Sequence, residues 1–344
     1  MELKLAFTSC MDTVNYPKQP AWGHVAAAAP DVMVLLGDSM YMDYGKKILG
    51  VFVSDGPRHE SEGNGTPKDL SLQAFSERMH ARYRAQYEVP GFRDAIRGCN
   101  GNVHAIWDDH DFAWNNSRGA GQPGPALVSQ TQRRISTQHY RTWQRALNEL
   151  PDHYPADAVD SASPAVDDAG IGRTVALVPD ELFLHLLDGR SFREGDENDD
   201  GVSLLGKDQR DALDRALEQH PHAIHVVAVP EPMEKWQNFS EFKWLIAWAR
   251  QRRILVICGD VHEHHYVGYK ANGRKDWGAK DKAVLHEFAA SAMAQGPTVF
   301  GKKREVFGTL TFGPDAVTVQ LFHAGEIAER YTIDRTTWKI AEAG

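Results

Sequence analysis

Ala105-Ile106-Trp107-Asp108-Asp109-His110-Asp111 runs from an apolar, strand-like approach straight into three acids and a histidine, with Asn115-Asn116 close behind. Carboxylates packed so closely repel one another, and folding alone gives no reason to gather them. A multivalent cation would remove that cost. The segment is therefore informative only if other strands of the chain end in matching ligands.

Three others do. Val32-Met33-Val34-Leu35-Leu36 leads into Gly37-Asp38-Ser39-Met40-Tyr41, Ile254-Leu255-Val256-Ile257-Cys258 into Gly259-Asp260-Val261-His262, and Leu3-Lys4-Leu5-Ala6-Phe7 towards Ser9-Cys10. In open α/β sheets, ligands sit in the crevice beyond the carboxyl ends of the strands. Four such endings put Cys, Asp/Tyr, Asp/Asn and Asp/His groups on one rim. Singly, each residue has a purely structural reading. Cys10 could be a small buried hydrophobe, Asp38 a helix cap, Tyr41 a core residue, and Asp260 with His262 a buried hydrogen-bonded pair. The joint pattern favours a metal site.

The rest of the chain supports an α/β reading. Helices are predicted over 22–29, 72–87, 129–150, 206–219 and 241–252, the second from the helical recurrence of Leu72, Phe75, Met79, Tyr83 and Tyr87. Strands are predicted over 3–8, 32–36, 103–107, 174–178, 181–188, 224–229 and 254–258. The last third changes to alternating strands over 284–290, 306–312, 316–322 and 326–333, joined by tight turns such as Gly313-Pro314-Asp315. A βαβ series finishing in a meander predicts two stacked sheets with helices outside. Loops rich in Gly, Pro, Ala or Asp fall at 54–69, 118–125 and 152–172.

Composition narrows the function. The 344 residues can bury a large core. A net charge of -9 argues against a phosphate-backbone binder, which needs a basic face, so no nucleic-acid scaffold is expected. The cysteines Cys10, Cys99 and Cys258 form neither a disulfide framework nor a paired-thiolate zinc site. No apolar run is long enough to span a bilayer, and the amino terminus shows no secretory signal. These features predict a cytoplasmic protein. The oligomeric state is left open.

Carboxylates suit hard cations and imidazole is the usual nitrogen donor. The thiolate of Cys10 and phenolate of Tyr41 add anionic charge suited to ferric iron. Asp38 could bridge two metals. Two cations a few ångströms apart polarise a phosphoryl oxygen and generate hydroxide near neutral pH, which is hydrolase chemistry. Competing schemes are absent. There is no Gly-x-Ser-x-Gly elbow, no cysteine-phosphatase loop, no Gly-x-Gly-x-x-Gly and no P-loop. His262-Glu263-His264-His265 lacks the helical His-Glu-x-x-His spacing, so His262 is taken as a ligand and His264 and His265 as rim histidines.

Together these residues resemble the PhoD-like alkaline phosphatase family, a branch of the calcineurin-like metallophosphoesterases. The matching pieces are Ser9-Cys10, Gly37-Asp38-Ser39-Met40-Tyr41, Trp107-Asp108-Asp109-His110-Asp111 with Asn115, and Gly259-Asp260-Val261-His262. Weaker matches are Leu187-Asp188-Gly189-Arg190-Ser191-Phe192-Arg193, Leu205-Gly206-Lys207-Asp208-Gln209 and Glu287-Phe288-Ala289-Ala290-Ser291. The resemblance spans nearly the whole chain and implies a single domain over 1–344, an α/β/β/α four-layer sandwich. It implies two or more metal ions: Fe3+ on Cys10, Asp38, Tyr41 and His262, beside Ca2+, or another divalent ion such as Mn2+ or Zn2+, on Asp38, Asn115 and Asp260. Asp109 falls where the wider superfamily has an Asn ligand and is kept as a metal and catalytic residue. His110 would face the substrate as general acid or as a donor to phosphoryl oxygens. Characterised secreted members carry an export signal and an extra amino-terminal β domain, neither of which is seen here.

Two weaker candidates follow. Arg190 could grip a substrate phosphate in forked geometry or pair structurally with Asp188. Asp196-Glu197-Asn198-Asp199-Asp200-Gly201 begins like a calcium loop, but Lys207 stands where the closing acid belongs, so a solvated acidic loop is expected. The chain thus reads as a metal-dependent phosphoesterase acting on a small-molecule phosphomonoester or phosphodiester through a metal-activated hydroxide. The alternatives are a nucleotide- or phospholipid-specific diesterase and a non-catalytic metal or phosphate-ester sensor.

Overall fold

A computed structural model of the protein describes residues 2–44, 66–276, 282–295 and 304–342. Residues 54–65 of the expected 54–69 loop lie outside the described residues. In chain order the elements are β1 (Leu3–Thr8), α1 (Trp22–Ala27), β2 (Val32–Leu36), α2 (Leu72–Tyr87), α3 (Pro90–Gly98), β3 (Val103–Ile106), α4 (Asp109–Phe112) and α5 (Gln130–Glu149). There follow β4 (Arg173–Val178), β5 (Leu182–Leu186), α6 (Lys207–Gln219), β6 (Ile224–Val229), α7 (Ser240–Ala249), β7 (Arg253–Cys258), β8 (His264–Lys270) and β9 (Ala283–Ala290). The chain finishes with β10 (Val306–Phe312), β11 (Ala316–His323), β12 (Glu326–Asp334) and β13 (Ile340–Glu342).

Two mixed sheets organise them. The first has the order β13-β12-β11-β10-β1-β2-β3, and the second β4-β5-β6-β7-β9-β8. β1, β2 and β3 run parallel, as do β5, β6, β7 and β9. The late meander β10–β13 pairs antiparallel and joins the first sheet by running β10 against β1. Parallel strands covered on both faces need apolar residues at every position. Val32–Leu36 meets that demand, and Ile224–Val229 meets it everywhere but at His225; every residue of both is buried.

In the second sheet the period-two alternation sorts the side chains. Val227, Val229, Ile254 and Val256 pack with Leu213 and Leu217 of α6 and Leu245 and Ile246 of α7. Val226, Ala228, Leu255 and Ile257 face the other way and share a core with Leu5, Phe7, Val34 and Leu36 of the first sheet. Burial of each such side chain is worth roughly 1.5–3 kcal/mol. Helices α2, α3 and α5 add Phe75, Met79, Tyr83, Phe92, Ile96 and Trp143 to that core.

The helices start and stop for local reasons. Ser71 caps α2 by accepting from the Ala74 amide at 3.2 Å. Ser129 and Gln132 form a reciprocal capping box at the start of α5. That helix ends where Leu150 turns left-handed, at φ 52°, before Pro151. Helix α3, strand β8 and strand β13 lie where no such elements were expected. Pro90-Gly91 resembles a turn, yet Pro occupies the first helical position, where its missing N–H costs nothing. Helix α7 ends before the expected 252 because the chain turns into β7 at Arg253. The 118–125 loop is stitched to the residues after β5: the Gly119 amide donates to the Arg190 carbonyl at 2.8 Å and the Ala120 amide to that of Arg193 at 3.1 Å.

Candidate active site

β1, β2, β3 and β7 end at Cys10, Asp38, Asp109 and Asp260, and the backbone changes hand almost at once. Cys10, Asp38, Asp260 and His262 have φ of 61°, 51°, 65° and 55°. Non-glycine residues seldom enter this region, and each such residue costs of order 1–3 kcal/mol. Strain concentrated on candidate ligands is characteristic of functional sites. Gly37, at φ 94°, lets the turn after β2 touch the turn after β3, since a Cβ there would lie 2.7 Å from the Asp108 backbone nitrogen.

These turns close around one cluster. The Cys10 thiol donates to Asp38 Oδ2 at 3.5 Å. Ligand atoms of Asp38, Asp109 and His110 all lie within 4.8 Å of one another. The Tyr41 ring centroid is 4.5 Å from that of His110. All five residues are buried, and Asp38 Oδ1 has no hydrogen-bond partner among the described residues. A buried carboxylate oxygen left unpaired is costly, and a cation is the partner that this donor set of carboxylates, imidazole, thiol and phenol suits.

The electrostatics tell the same story. Burial, helped by Asp109 and Asp260 and opposed by His110, raises the Asp38 carboxyl to about 7. Burial first and Asp38 second push the Cys10 thiol and the Tyr41 phenol well up. Burial raises Asp260 despite the opposing Lys235 ammonium. Burial disfavours the His110 imidazolium, but Asp43, Asp109 and Asp38 outweigh it and raise His110 to about 10. For Asp109, His110 and Arg190 overcome burial and lower its carboxyl.

Other expected site residues stand around this group. His110 Nδ1 is 2.5 Å from Asp43 Oδ1, and the Asn115 amide donates to Asp43 Oδ2 at 3.0 Å. The Asn115 side chain is half-buried. Lys235 Nζ lies 2.5 Å from Asp260 Oδ2. Arg304 Nη1 donates to His262 Nδ1 at 3.0 Å, which fixes that nitrogen as an acceptor. Asp111 is structural: it accepts from the amides of Asp108 and Ser39 at 2.5 Å and 3.0 Å and so ties the two acidic turns together.

Arg190 departs from expectation. Its guanidinium pairs with Asp108 and Glu231, the latter at 2.8 Å, and it is 2 % exposed. Asp188, the expected ion partner, instead accepts the backbone amides of Arg190, Ser191 and Ile171 and the Trp107 indole N–H. Nε bonds Asp108 and Nη2 reaches both carboxylates, so this edge of the guanidinium is held in place. Glu231 also binds Arg193, and its three cationic neighbours Arg190, Arg193 and Lys235 outweigh burial to lower it to about 2. The 196–201 loop is exposed throughout, as expected of a solvated loop. His264 and His265 lie half-buried on β8, His265 beside Glu263 at 3.5 Å.

Sequence reasoning missed Asp43, Glu231, Lys235 and Gln295, and it marked Ser291 only as the end of a weak family match. Glu231 follows the apolar run of β6, the same signal that marked the other strand ends.

The family model for PhoD-like phosphatase matches residues 5–245. Asp260 and His262 lie beyond that span. Among solved structures, that of PhoD superposes with a TM-score of 0.65 at 15% identity, covering 100% of this chain and 72% of that one. At that identity the likeness speaks for the fold. No curated protein matches the chain. With more than half its length matched, and with an Asp/His group able to hold a metal where the strands end, the chain belongs to the PhoD-like phosphatase family.

Proposed function

We propose that this protein is a metal-dependent hydrolase of small-molecule phosphomonoesters or phosphodiesters, working as one domain. The observation that carries the reading is the buried Asp38–Asp109–His110 group beside Cys10 and Tyr41, with an oxygen of Asp38 unpartnered among the described residues. Cys10, Asp38, Tyr41 and His262 are suited to ferric iron. Asp38, Asn115 and Asp260 are suited to calcium or another divalent ion, with Asp109 as a further donor. When bound, such cations polarise a phosphoryl oxygen and absorb charge during displacement.

The chain's own residues do the remainder. Asp43 holds His110 through Nδ1, which leaves Nε2 to donate a proton to the departing oxygen. Asp109 accepts the amides of His110 and Asn116 at 2.9 Å and 2.5 Å, so its carboxylate is held in place before substrate arrives. Arg190 acts through Asp108 and Glu231, steadying the turn that carries Asp109 and His110. Among the described residues no helix is long and apolar enough to cross a membrane.

The test is turnover of p-nitrophenyl phosphate and bis-p-nitrophenyl phosphate by metal-loaded protein, abolished in Asp38→Asn and Asp260→Asn. Phosphate binding without turnover would instead make the protein a sensor.

A further inference from the structure

The segment after β9 contains the Ser291 motif that the proposed chemistry leaves unused. Its backbone is laced to the segment after β1. The Met293 amide donates to the Ser9 carbonyl at 2.9 Å, the Ala294 amide to that of Cys10 at 3.2 Å, and the Asp12 amide to that of Ala294 at 2.9 Å. This pairing holds two side-chain donors against the thiol and the phenol of the candidate site. Ser291 Oγ donates to Cys10 Sγ at 3.3 Å, and Gln295 Nε2 donates to Tyr41 Oη at 2.6 Å. Ser9 Oγ stands 3.4 Å from the same sulfur and 3.0 Å from Ser291 Oγ, and can donate to either.

The arrangement is built rather than incidental. Ser9, Cys10 and Ser291 are fully buried, and Gln295 is nearly so. Room for Ser9 comes from Gly259, where a Cβ would sit 2.5 Å from the Ser9 hydroxyl. Neither hydroxyl is needed to satisfy the other's oxygen alone, since both lie within reach of the sulfur.

We propose that Ser291 and Gln295, assisted by Ser9, are positioning residues that set how strongly Cys10 and Tyr41 donate electrons to a bound metal ion. The idea rests on the reading of Cys10 and Tyr41 as ligands. A hydrogen bond to a ligand atom draws electron density from it, and such contacts orient ligands and tune metal centres. Removing the donor leaves a richer sulfur or phenolate. A ferric ion so ligated is harder to reduce, and its ligand-to-metal absorption falls at lower energy.

The experiment uses the full chain loaded with Fe3+ alone and reads its visible absorption band and its reduction potential. Cys10→Ser and Tyr41→Phe come first, to show that the band depends on these two ligands. Ser291→Ala and Gln295→Leu are then expected to move the band to longer wavelength and to lower the potential. Ser291→Thr, which keeps the hydroxyl, is expected to restore both towards wild type. Ser9→Ala gives a smaller shift and stands in should Ser291→Ala fail to fold. If the band depends on Cys10 and Tyr41 but neither it nor the potential moves on removing the donors, the tuning role is overturned while the ligand reading survives. If no band depends on Cys10 or Tyr41, both fall together.

Discussion

Asp43 Oδ1 sits 2.5 Å from Nδ1 of His110, in a pocket where the histidine is 5 % exposed and the aspartate 0 %. The contact fixes which imidazole nitrogen faces outwards, and it gives His110 a carboxylate partner of its own besides the candidate ligands Asp38 and Asp109.

A general acid helps most when the leaving group is poor. His110→Gln should therefore lower kcat by about 10²–10⁴-fold on an alkyl phosphate ester and by much less on a p-nitrophenyl ester, whose leaving group needs no proton. Asp43→Asn should cost roughly 10–100-fold, as loss of an orienting partner does. Equal losses on the two substrates would remove the general-acid role.

The buried network of Arg190 with Asp108 and Glu231 predicts a stability effect. Removing one partner leaves another charge buried and uncompensated, at a cost of roughly 3–5 kcal/mol. Glu231→Gln and Arg190→Met should both show this as a fall in the urea midpoint. If either variant unfolds at the wild-type midpoint, the network contributes nothing to the fold.

Metal release should be visible without any substrate. Asp38 titrates at about 7 because burial and its acidic neighbours penalise the charge. A carboxyl raised in the folded state contributes stability that is present below its unfolded value of about 3.9 and is lost as pH rises through the folded value. Chelator-treated protein should therefore lose stability between about pH 4 and 7, and Asp38→Asn should flatten that decline. Adding a bound cation at 100 times its Kd should return about 2.7 kcal/mol, read as a rise in Tm. No rise with any of Fe3+, Ca2+, Mn2+ or Zn2+ would contradict the metal reading.

A second pH effect lies away from the site. His185 on β5 and His225 on β6 share a hydrogen bond of 2.9 Å, with Thr174 at the other His185 nitrogen and Phe183 and His220 stacked beside them. Burial first, then the neighbouring histidines His225 and His220, depress His185 to about 3; burial leads again for His225, at about 4. Groups lowered on folding stabilise the protein above their unfolded value of about 6.5, and that stability is lost as pH falls towards the folded values. Acid unfolding should steepen below about pH 6, and His185→Phe should make it shallower. An equal drop in the urea midpoint between pH 7 and pH 4.5 for wild type and His185→Phe would refute it.

Much of this was legible in the sequence because it is local. Val32–Leu36 and Ile254–Cys258 announce buried strands by unbroken apolar runs, and each is followed within two residues by its acid. The rest needed tertiary contacts. Asp43 sits between Met42 and Tyr44 and gains its meaning from His110, 67 residues away, and from the Asn115 amide. Glu231 is flanked by Pro230 and Pro232, which resemble a plain loop until Arg190 and Arg193 are seen to bind it. Arg190 pairs with Asp108 and Glu231 rather than with the nearby Asp188, whose carboxylate is taken up by backbone amides and the Trp107 indole. The β8 stretch His264–Lys270 hid because its polar residues suggested a rim.

The 281-residue separation between Cys10 and Ser291 carries one last consequence. The sulfur lies just after β1, yet the group that covers it follows β9 in the other sheet. Until both sheets have closed, that thiol is open to alkylating reagents; afterwards it is sealed. Pulse-labelling Cys10 during refolding would thus read out the moment at which the amino- and carboxyl-terminal parts of the molecule first meet.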